Sequence, residues 1–341
     1  MMTLVCGGAA SGKSAYAEAL ICGTGEKRRV YLATMQPFGK EAEERIRKHR
    51  AMRADKGFET RECFTARAVL ELSASLPPGA AVLLEDIGNL CANEMFSGNP
   101  EDGREPAADA GKHQAAERPE GQAAAAVIAA VAALREQCSE LVVVANEVFS
   151  GGAEYAGETL SYLRLLGQVS IALAAMADRV VEVQCGIPVL LKDMDSGSET
   201  EAGTEAGAEE KRSEMIFVTG PMFSGKRKAA AELLGIPVEE IRVCENGERD
   251  IRGKQSRGIA GVHALAAGCR KEKELVQLAE KLSAYEVVIS AETGCGVVPV
   301  DPAEREAREK AGRLNCLLAA RAETVIRVFC GIPQVICGKP L

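Results

Sequence analysis

The sequence predicts an α/β fold, a parallel sheet with helices on both faces, present as two tandem copies. Three observations point there. Short Val-rich segments, mostly continuous in apolar character as strands buried on both faces are, alternate with stretches of helical patterning. A glycine-rich phosphate-binding loop joins the first such strand to the first helix, and both ends of the first half recur in the second.

The strands of the first half are expected at Thr3 to Cys6, Arg29 to Ala33, Ala81 to Leu84, Leu141 to Ala145 and Val180 to Val183. Helices are expected between them at Lys13 to Ile21, Lys40 to Arg53, Ala123 to Gln137 and Glu158 to Ala177. Strands in that order with helical crossovers pair in parallel. The second half keeps strands near Met215 to Thr219, Ile241 to Cys244, Glu286 to Ser290 and Thr324 to Val328, and a helix at Ala303 to Arg321.

The repeat fixes the organisation. Gly7-Gly8-Ala9-Ala10-Ser11-Gly12-Lys13 returns as Gly220-Pro221-Met222-Phe223-Ser224-Gly225-Lys226, an offset of 213. Val183-Gln184-Cys185-Gly186-Ile187-Pro188 returns as Val328-Phe329-Cys330-Gly331-Ile332-Pro333, an offset of 145 that holds back through Gly167/Gly312 and Glu147/Glu292. Copy 2 is therefore copy 1 shortened by 68 residues in its middle. The expected domains are 1–192 and 215–341, joined by an acidic linker at 193–214, with a low-complexity insertion at 97–122.

Composition narrows the function. The 341 residues carry a net charge of −8, of which the linker accounts for most, with eight Asp or Glu against Lys211 and Arg212. A near-neutral body with 4% aromatics and no Trp has neither the basic stripe nor the stacking platforms of a nucleic-acid binder, so no nucleic-acid partner is expected. The longest apolar run, Ala123 to Leu134, is mostly Ala and ends at Arg135, so no membrane span is expected. Twelve scattered cysteines without a Cys-x-x-Cys pair and an N-terminus without a signal-peptide pattern predict reduced thiols in the cytoplasm.

Gly7-x4-Gly12-Lys13-Ser14 lies between strand and helix, as a phosphate loop must. Its glycines let N–H groups converge on phosphate oxygens, Lys13 reaches the β and γ phosphates, and Ser14 can bind Mg²⁺. A magnesium site also wants a carboxylate at a neighbouring strand end, and Glu85 and Asp86 are both candidates. His49 shares one helix face with Arg45 and Arg53, four residues away on either side. Arginines there would hold a triphosphate and keep the imidazole neutral as a nucleophile, although the spacing alone fits a solvated basic face better. Asn146-Glu147-Val148 follows a strand at the carboxyl edge where ligands bind. Glu147 recurs as Glu292, so a structural role and a catalytic one are equally open.

With these residues in hand, copy 1 resembles the bifunctional adenosylcobinamide kinase/adenosylcobinamide-phosphate guanylyltransferase family of cobalamin biosynthesis. The resemblance rests on Gly-Gly-Ala-Ala-Ser-Gly-Lys-Ser at 7–14, Tyr31-Leu32-Ala33-Thr34, Arg45-Ile46-x-x-His49-Arg50, Asn146-Glu147-Val148, and Ala177-Asp178-Arg179-Val180 leading to Gly186-Ile187-Pro188. It implies a RecA-like P-loop NTPase fold, trimeric assembly, Mg²⁺, ATP and GTP as nucleotide substrates, and adenosylcobinamide as the corrinoid substrate. It turns the reading of His49 to the guanylylated nucleophile, with Lys13 at the transferring phosphate. The nucleotide-binding set becomes Gly7, Gly8, Ala9, Ala10, Ser11, Gly12, Lys13, Ser14, Thr34, Arg45, Arg53 and Glu147. Ser14 with Glu85 or Asp86 is the expected metal set, because a Glu-Asp pair stands where the family has a lone Asp followed by Cys. Copy 2 carries Arg227 where the loop needs its hydroxyl, yet Gly294 to Pro299 and Ala311 to Asn315 look closer to the family pattern than their counterparts in copy 1. Copy 2 is thus expected to be catalytically silent and to support copy 1, through a homo-oligomer or through intramolecular pairing of the two copies.

Overall fold

The computed structural model describes residues 1–25, 28–37, 47, 56–77, 79–96, 118–150, 155, 157–194, 213–222, 224–244, 256–299, 301–329 and 331–339. The expected linker at 193–214 lies outside these except at its ends, and the insertion at 97–122 lies outside them except for residues 118–122.

Copy 1 builds a seven-stranded sheet from β1 (Met2–Gly7), β2 (Arg29–Ala33), β3 (Phe58–Glu62), β4 (Ala81–Glu85), β5 (Glu140–Asn146), β6 (Arg179–Gln184) and β7 (Ile187–Asp193). The order across the sheet is β3-β2-β4-β5-β1-β6-β7, parallel except for β7. The helices are α1 (Lys13–Gly23), α2 (Ala66–Ser75), α3 (Ile87–Phe96), α4 (Glu120–Gln137) and α5 (Gly157–Met176). Alternation within strands explains the two cores. Leu4, Leu32, Leu84 and Val143 join the cluster under α2 to α5, while Val5, Tyr31, Leu83 and Val144 join the cluster under α1. The expected parallel sheet with helices on both faces is what forms.

Four further elements of copy 1, α3 among them, were not expected, and three show why. β3 (Phe-Glu-Thr-Arg-Glu) is a polar edge strand with four exposed residues, so it shows no apolar run. α2 starts at Thr65, whose side chain accepts the Ala68 N–H at 3.2 Å, and ends after ten residues. β7 returns antiparallel to β6 through Cys185 (φ 52°) and Gly186 (φ 84°), a two-residue hairpin with both central residues at positive φ.

Copy 2 repeats the scheme with β8 (Ser213–Thr219), β9 (Ile241–Val243), β10 (Gly258–Ala260), β11 (Val287–Ile289), β12 (Ala322–Phe329) and β13 (Ile332–Cys337), ordered β13-β12-β8-β11-β10-β9. Its helices are α6 (Lys226–Leu234), α7 (Glu272–Leu282) and α8 (Pro302–Arg321). β8 stands for β1, β12 for β6, β11 for β5, and the edge strand β3 has no counterpart among the described residues. The sequence places no strand of copy 2 between Ile241–Cys244 and Glu286–Ser290, where copy 1 has the strand that ends in its carboxylates. β10 instead keeps that strand beside β11, and register places Ala260 and Gly261 where copy 1 has Glu85 and Asp86. The strand survives because the sheet needs it, whereas its terminal carboxylates serve no backbone pairing.

The copies are joined by more than sequence. Cys185 and Ile187 of copy 1 pack into the apolar cluster of Met215, Phe217, Leu314 and Leu318. Arg327 reaches Glu182 across the junction at 3.8 Å and Glu292 at 3.3 Å.

Candidate active site

β1 delivers Gly7 to a loop that turns directly into α1. A Cβ at Gly7 would lie 2.6 Å from the Val183 carbonyl, and Gly12 holds φ 91°, so both positions require glycine. The Gly186 N–H of the β6–β7 hairpin donates to the Ser11 carbonyl at 2.7 Å and fixes the loop from behind. Lys13 is buried and folds back to donate to the Gly8 carbonyl at 3.1 Å.

Four strand ends surround this loop. The Ser14 hydroxyl donates to Glu85 Oε1, and the Tyr31 hydroxyl donates to Glu85 Oε2 at 2.9 Å. Asp86 faces elsewhere. Its Oδ1 accepts the Asn89 N–H at 2.7 Å and its Oδ2 accepts Asn146 Nδ2 at 3.0 Å, so it caps α3 and ties β4 to β5. Burial pushes the Asp86 carboxyl above its usual range, opposed by the Asn89 N–H and the nearby Lys13. Thr34 is buried behind both, its hydroxyl donating to the Asp86 carbonyl and accepting the Asp86 N–H, each at 2.8 Å. Glu147 is fixed on the other side, where its N–H donates to the Gly7 carbonyl at 2.9 Å and its Oε1 accepts the Phe149 N–H at 2.9 Å.

Among the predicted residues, Lys13, Ser14 and Glu85 therefore converge, whereas Thr34 and Asp86 form the wall behind them. Arg45, His49 and Arg53 lie outside the described residues. Among the described residues no group of three or more His, Cys, Asp or Glu side chains could hold a metal ion. A hydroxyl facing a single carboxylate still suits Mg²⁺, which takes few protein ligands and fills its sphere with water and phosphate oxygens.

Copy 2 closes over this loop. The Ala9 N–H donates to the Gly294 carbonyl at 2.9 Å, and the Cys316 thiol donates to the Ala10 carbonyl at 3.4 Å. A Cβ at Gly294 would come within 2.5 Å of the Ala9 carbonyl oxygen, and one at Gly312 within 2.8 Å of Ala10 Cβ. The Cys295 thiol lies against the Glu147 carboxylate, and burial raises its pKa with Glu147 adding to the rise. Of these contacts, the sequence signalled Tyr31, through the Tyr31-Leu32-Ala33-Thr34 motif, and the retained segments Gly294 to Pro299 and Ala311 to Asn315; Asn89 and Cys316 carried no pattern of their own.

A parallel sheet with a Gly-x4-Gly-Lys-Ser loop at a strand's carboxyl end and a carboxylate on the next strand but one defines a P-loop nucleotide-binding protein of the phosphate-transferring class. Within that class, the family model for cobinamide kinase / cobinamide phosphate guanyltransferase matches residues 3–191 and 263–336, and the chain belongs to that family. It is 36% identical over 194 residues to the bifunctional adenosylcobalamin biosynthesis protein CobU of Salmonella typhimurium, a match covering 56% of this chain and all of that protein. The protein of the same name from Escherichia coli is 35% identical with the same coverage. Among solved structures, the RadB recombinase is similar at 14% identity with a TM-score of 0.30, over 56% of this chain and 80% of that one.

One expectation needs qualifying. α5 is long and apolar enough to cross a membrane by length and composition, although no such run was expected. Its Leu165, Leu166, Val169 and Leu173 stripe packs in the copy 1 core.

Proposed function

We propose that the chain phosphorylates the aminopropanol hydroxyl of adenosylcobinamide with ATP or GTP and then transfers GMP from GTP to the new phosphate, in the cytoplasm, with the chemistry in the 1–192 domain. The observation that carries this reading is the meeting of Ser14 and Glu85 beside Lys13 at the mouth of the phosphate loop. In the first step the hydroxyl oxygen bonds to the γ phosphorus as the bond to the β–γ bridging oxygen breaks, leaving the nucleoside diphosphate and giving the hydroxyl proton to water. Lys13 exchanges the Gly8 carbonyl for phosphate oxygens, and the loop N–H groups neutralise the charge that spreads over them. Ser14 and Glu85 would hold Mg²⁺, which would supply positive charge to neutralise the phosphate oxygens. Asp86, Thr34 and Asn146 keep the Glu85 strand end in place.

In the second step a neutral His49 nitrogen attacks the α phosphorus of GTP and pyrophosphate leaves. An oxygen of the substrate phosphate then displaces the histidine. Arg45 and Arg53 would hold the triphosphate. Copy 2 acts as the brace of the copy 1 loop, since Gly294 and Cys316 engage the outside of Ala9 and Ala10.

Incubation with GTP and Mg²⁺ followed by intact-protein mass spectrometry tests the reading. One GMP bound through an acid-labile, base-stable bond is expected, absent in His49→Ala. A wild-type protein without the adduct that still phosphorylates the corrinoid restricts the activity to the kinase step, and an adduct surviving in His49→Ala removes His49 as nucleophile.

A further inference from the structure

Two hydroxyls donate to the Glu85 carboxylate, Ser14 to Oε1 and Tyr31 to Oε2. Ser14 is one of the two groups that would hold Mg²⁺, whereas Tyr31 is 4% exposed and approaches from the core under α1. The strands dictate that approach. β2 pairs with β4 so that Tyr31 lies opposite Leu83 and Ala33 opposite Glu85. Residues two apart share a face, and Tyr31 and Leu83 both enter the α1 core, so Tyr31 and Glu85 are diagonal neighbours, a span that an aromatic side chain crosses. The Tyr31 ring stands edge-on to Phe58 of β3, with centroids 6.2 Å apart and planes at 79°. The phenol is therefore held by its ring on one side and ends on the carboxylate at 2.9 Å on the other.

Copy 2 shows what this strand position needs for folding alone. β9 and β10 stand for β2 and β4, and Val243 pairs with Ala260 as Ala33 pairs with Glu85. Ile241 then occupies the place of Tyr31, and it is fully buried. An aliphatic side chain fills the position, so the sheet has no use for a hydroxyl there. A buried hydroxyl carries a desolvation cost that its hydrogen bond only offsets, which makes it a poor choice for packing. Copy 1 carries the hydroxyl together with the carboxylate, and copy 2 has neither at these positions. The two groups are kept or lost together although the strands around them persist, as expected of groups that act on each other.

We propose that Tyr31 is a positioning residue for phosphoryl transfer, an inference that rests on Ser14 and Glu85 holding Mg²⁺: its hydroxyl fixes Oε2 of Glu85 so that Oε1 faces Ser14 at the mouth of the phosphate loop. A glutamate side chain has several rotatable bonds, and at a strand end its carboxylate can turn either oxygen toward Ser14 or away from it. Donation from a buried phenol to one oxygen sets the direction of the other before any ion arrives, which spares the site that ordering cost on binding. Tyr31 acts through Glu85, and so sets the affinity for the ion and not for the nucleotide.

Mn²⁺ is the probe, because the paramagnetic resonance signal of the free ion disappears as it binds. It is titrated into the full chain holding one equivalent of GDP, and a fluorescent GDP analogue in EDTA measures nucleotide affinity without the ion. Tyr31→Phe keeps the ring against Phe58 and removes only the hydroxyl. It is expected to weaken Mn²⁺ binding by about tenfold, the scale for losing a group that orients a metal ligand, and to leave nucleotide affinity in EDTA within about twofold. The second result also shows that the variant is folded. Glu85→Ala is expected to weaken Mn²⁺ binding at least as much, and adding Tyr31→Phe to it to cause no further loss, since nothing is left to position. Unchanged Mn²⁺ affinity in Tyr31→Phe, a fall in nucleotide affinity equal to the fall for the ion, or losses that add in the double variant overturn the proposal, while a weakened Glu85→Ala keeps Ser14 and Glu85 as the ion site. Unchanged Mn²⁺ affinity in Glu85→Ala, or no binding by wild type, removes that site and this proposal with it.

Discussion

Gly7–Lys13 and Gly220–Lys226 bend alike. Gly12 and Gly225 hold φ of 91° and 87°, and a hairpin glycine donates to each loop, Gly186 to Ser11 at 2.7 Å and Gly331 to Ser224 at 2.9 Å. Lys13 and Lys226 both fold back onto the loop carbonyls, each at 3.1 Å from the nearer glycine carbonyl. Beyond the lysines the likeness stops. Ser14 reaches the Glu85 carboxylate, whereas Arg227 turns away, its Nε donating to the Ile241 carbonyl at 3.1 Å and its Nη2 to Val238 at 3.0 Å. The expected obstacle in copy 2 was a guanidinium facing the cation site; the guanidinium instead ties α6 to β9, and the site lacks both hydroxyl and carboxylate. Backbone form is set by the glycines and the hairpin behind them, so it outlasts the chemistry, which depends on two side chains.

The sharpest way to break this comparison is to treat the two lysines alike. Lys13→Ala should lower phosphoryl transfer to adenosylcobinamide by about 10³-fold, the scale seen when a preorganised charge at a transferring group is removed. Lys226→Ala should leave the rate within about twofold, since its loop has no carboxylate at the position of Glu85. A coupled assay of nucleoside diphosphate release measures both, and equal losses would mean that copy 2 also catalyses.

The adjacent carboxylates give the next largest effect. Glu85→Gln should lower kcat by about 10²-fold and raise the Mg²⁺ concentration needed for half-maximal rate, because it weakens the charge facing Ser14. Asp86→Asn should leave the Mg²⁺ requirement near wild type and cost about 1–3 kcal/mol of stability in urea, because an amide cannot accept from Asn89 and Asn146 as the carboxylate does. The reverse pattern would exchange their roles.

The same contrast explains what the sequence made legible. Continuous apolar strands such as Ala81 to Leu84, the helix at Pro302–Arg321 and the phosphate loop carry strong local signals, and each formed where expected. β3 is polar because it is an edge, and β10 has three residues, so neither fills a window of alternating or continuous apolarity. The choice between Glu85 and Asp86 was not legible, because both lie at one strand end and only the direction of each side chain separates them. The cover of Ala9 by Gly294 depends on residues 285 positions apart, and the repeat and the retained Gly294 to Pro299 segment were its traces in the sequence.

A smaller effect sharpens the bracing role of copy 2. Gly294→Val and Gly312→Leu place carbon where Ala9 and Ala10 already stand, and should weaken nucleotide binding at copy 1 by about tenfold, the scale of 1–2 kcal/mol of lost loop order. Gly121→Ala adds its carbon in open space on α4 and serves as the control, expected to bind nucleotide as wild type does. Titration with a fluorescent GTP analogue reads all three. Unchanged affinity in both interface variants would mean that copy 2 touches the loop without ordering it.

The smallest effect concerns the residue that follows β10 at the place where copy 1 has Gly88. His263 Nδ1 accepts the Ala291 N–H at 3.3 Å, which requires that nitrogen to be unprotonated, and burial followed by the nearby Lys226 lowers its pKa below 6.5. A histidine depressed in the fold binds fewer protons there than when unfolded, so its contribution to stability is present above the unfolded value and is lost as pH falls through the folded one. Stability should therefore decline below about pH 6.5, by about 1 kcal/mol from the hydrogen bond that protonation breaks. Asn at this position keeps a neutral acceptor with no proton to gain, so His263→Asn should flatten that part of the profile while leaving stability at pH 8 within about 1 kcal/mol of wild type. Urea midpoints from pH 5 to 8 measure the difference, and parallel curves for the two proteins would show that His263 stays neutral throughout or does not feel the fold.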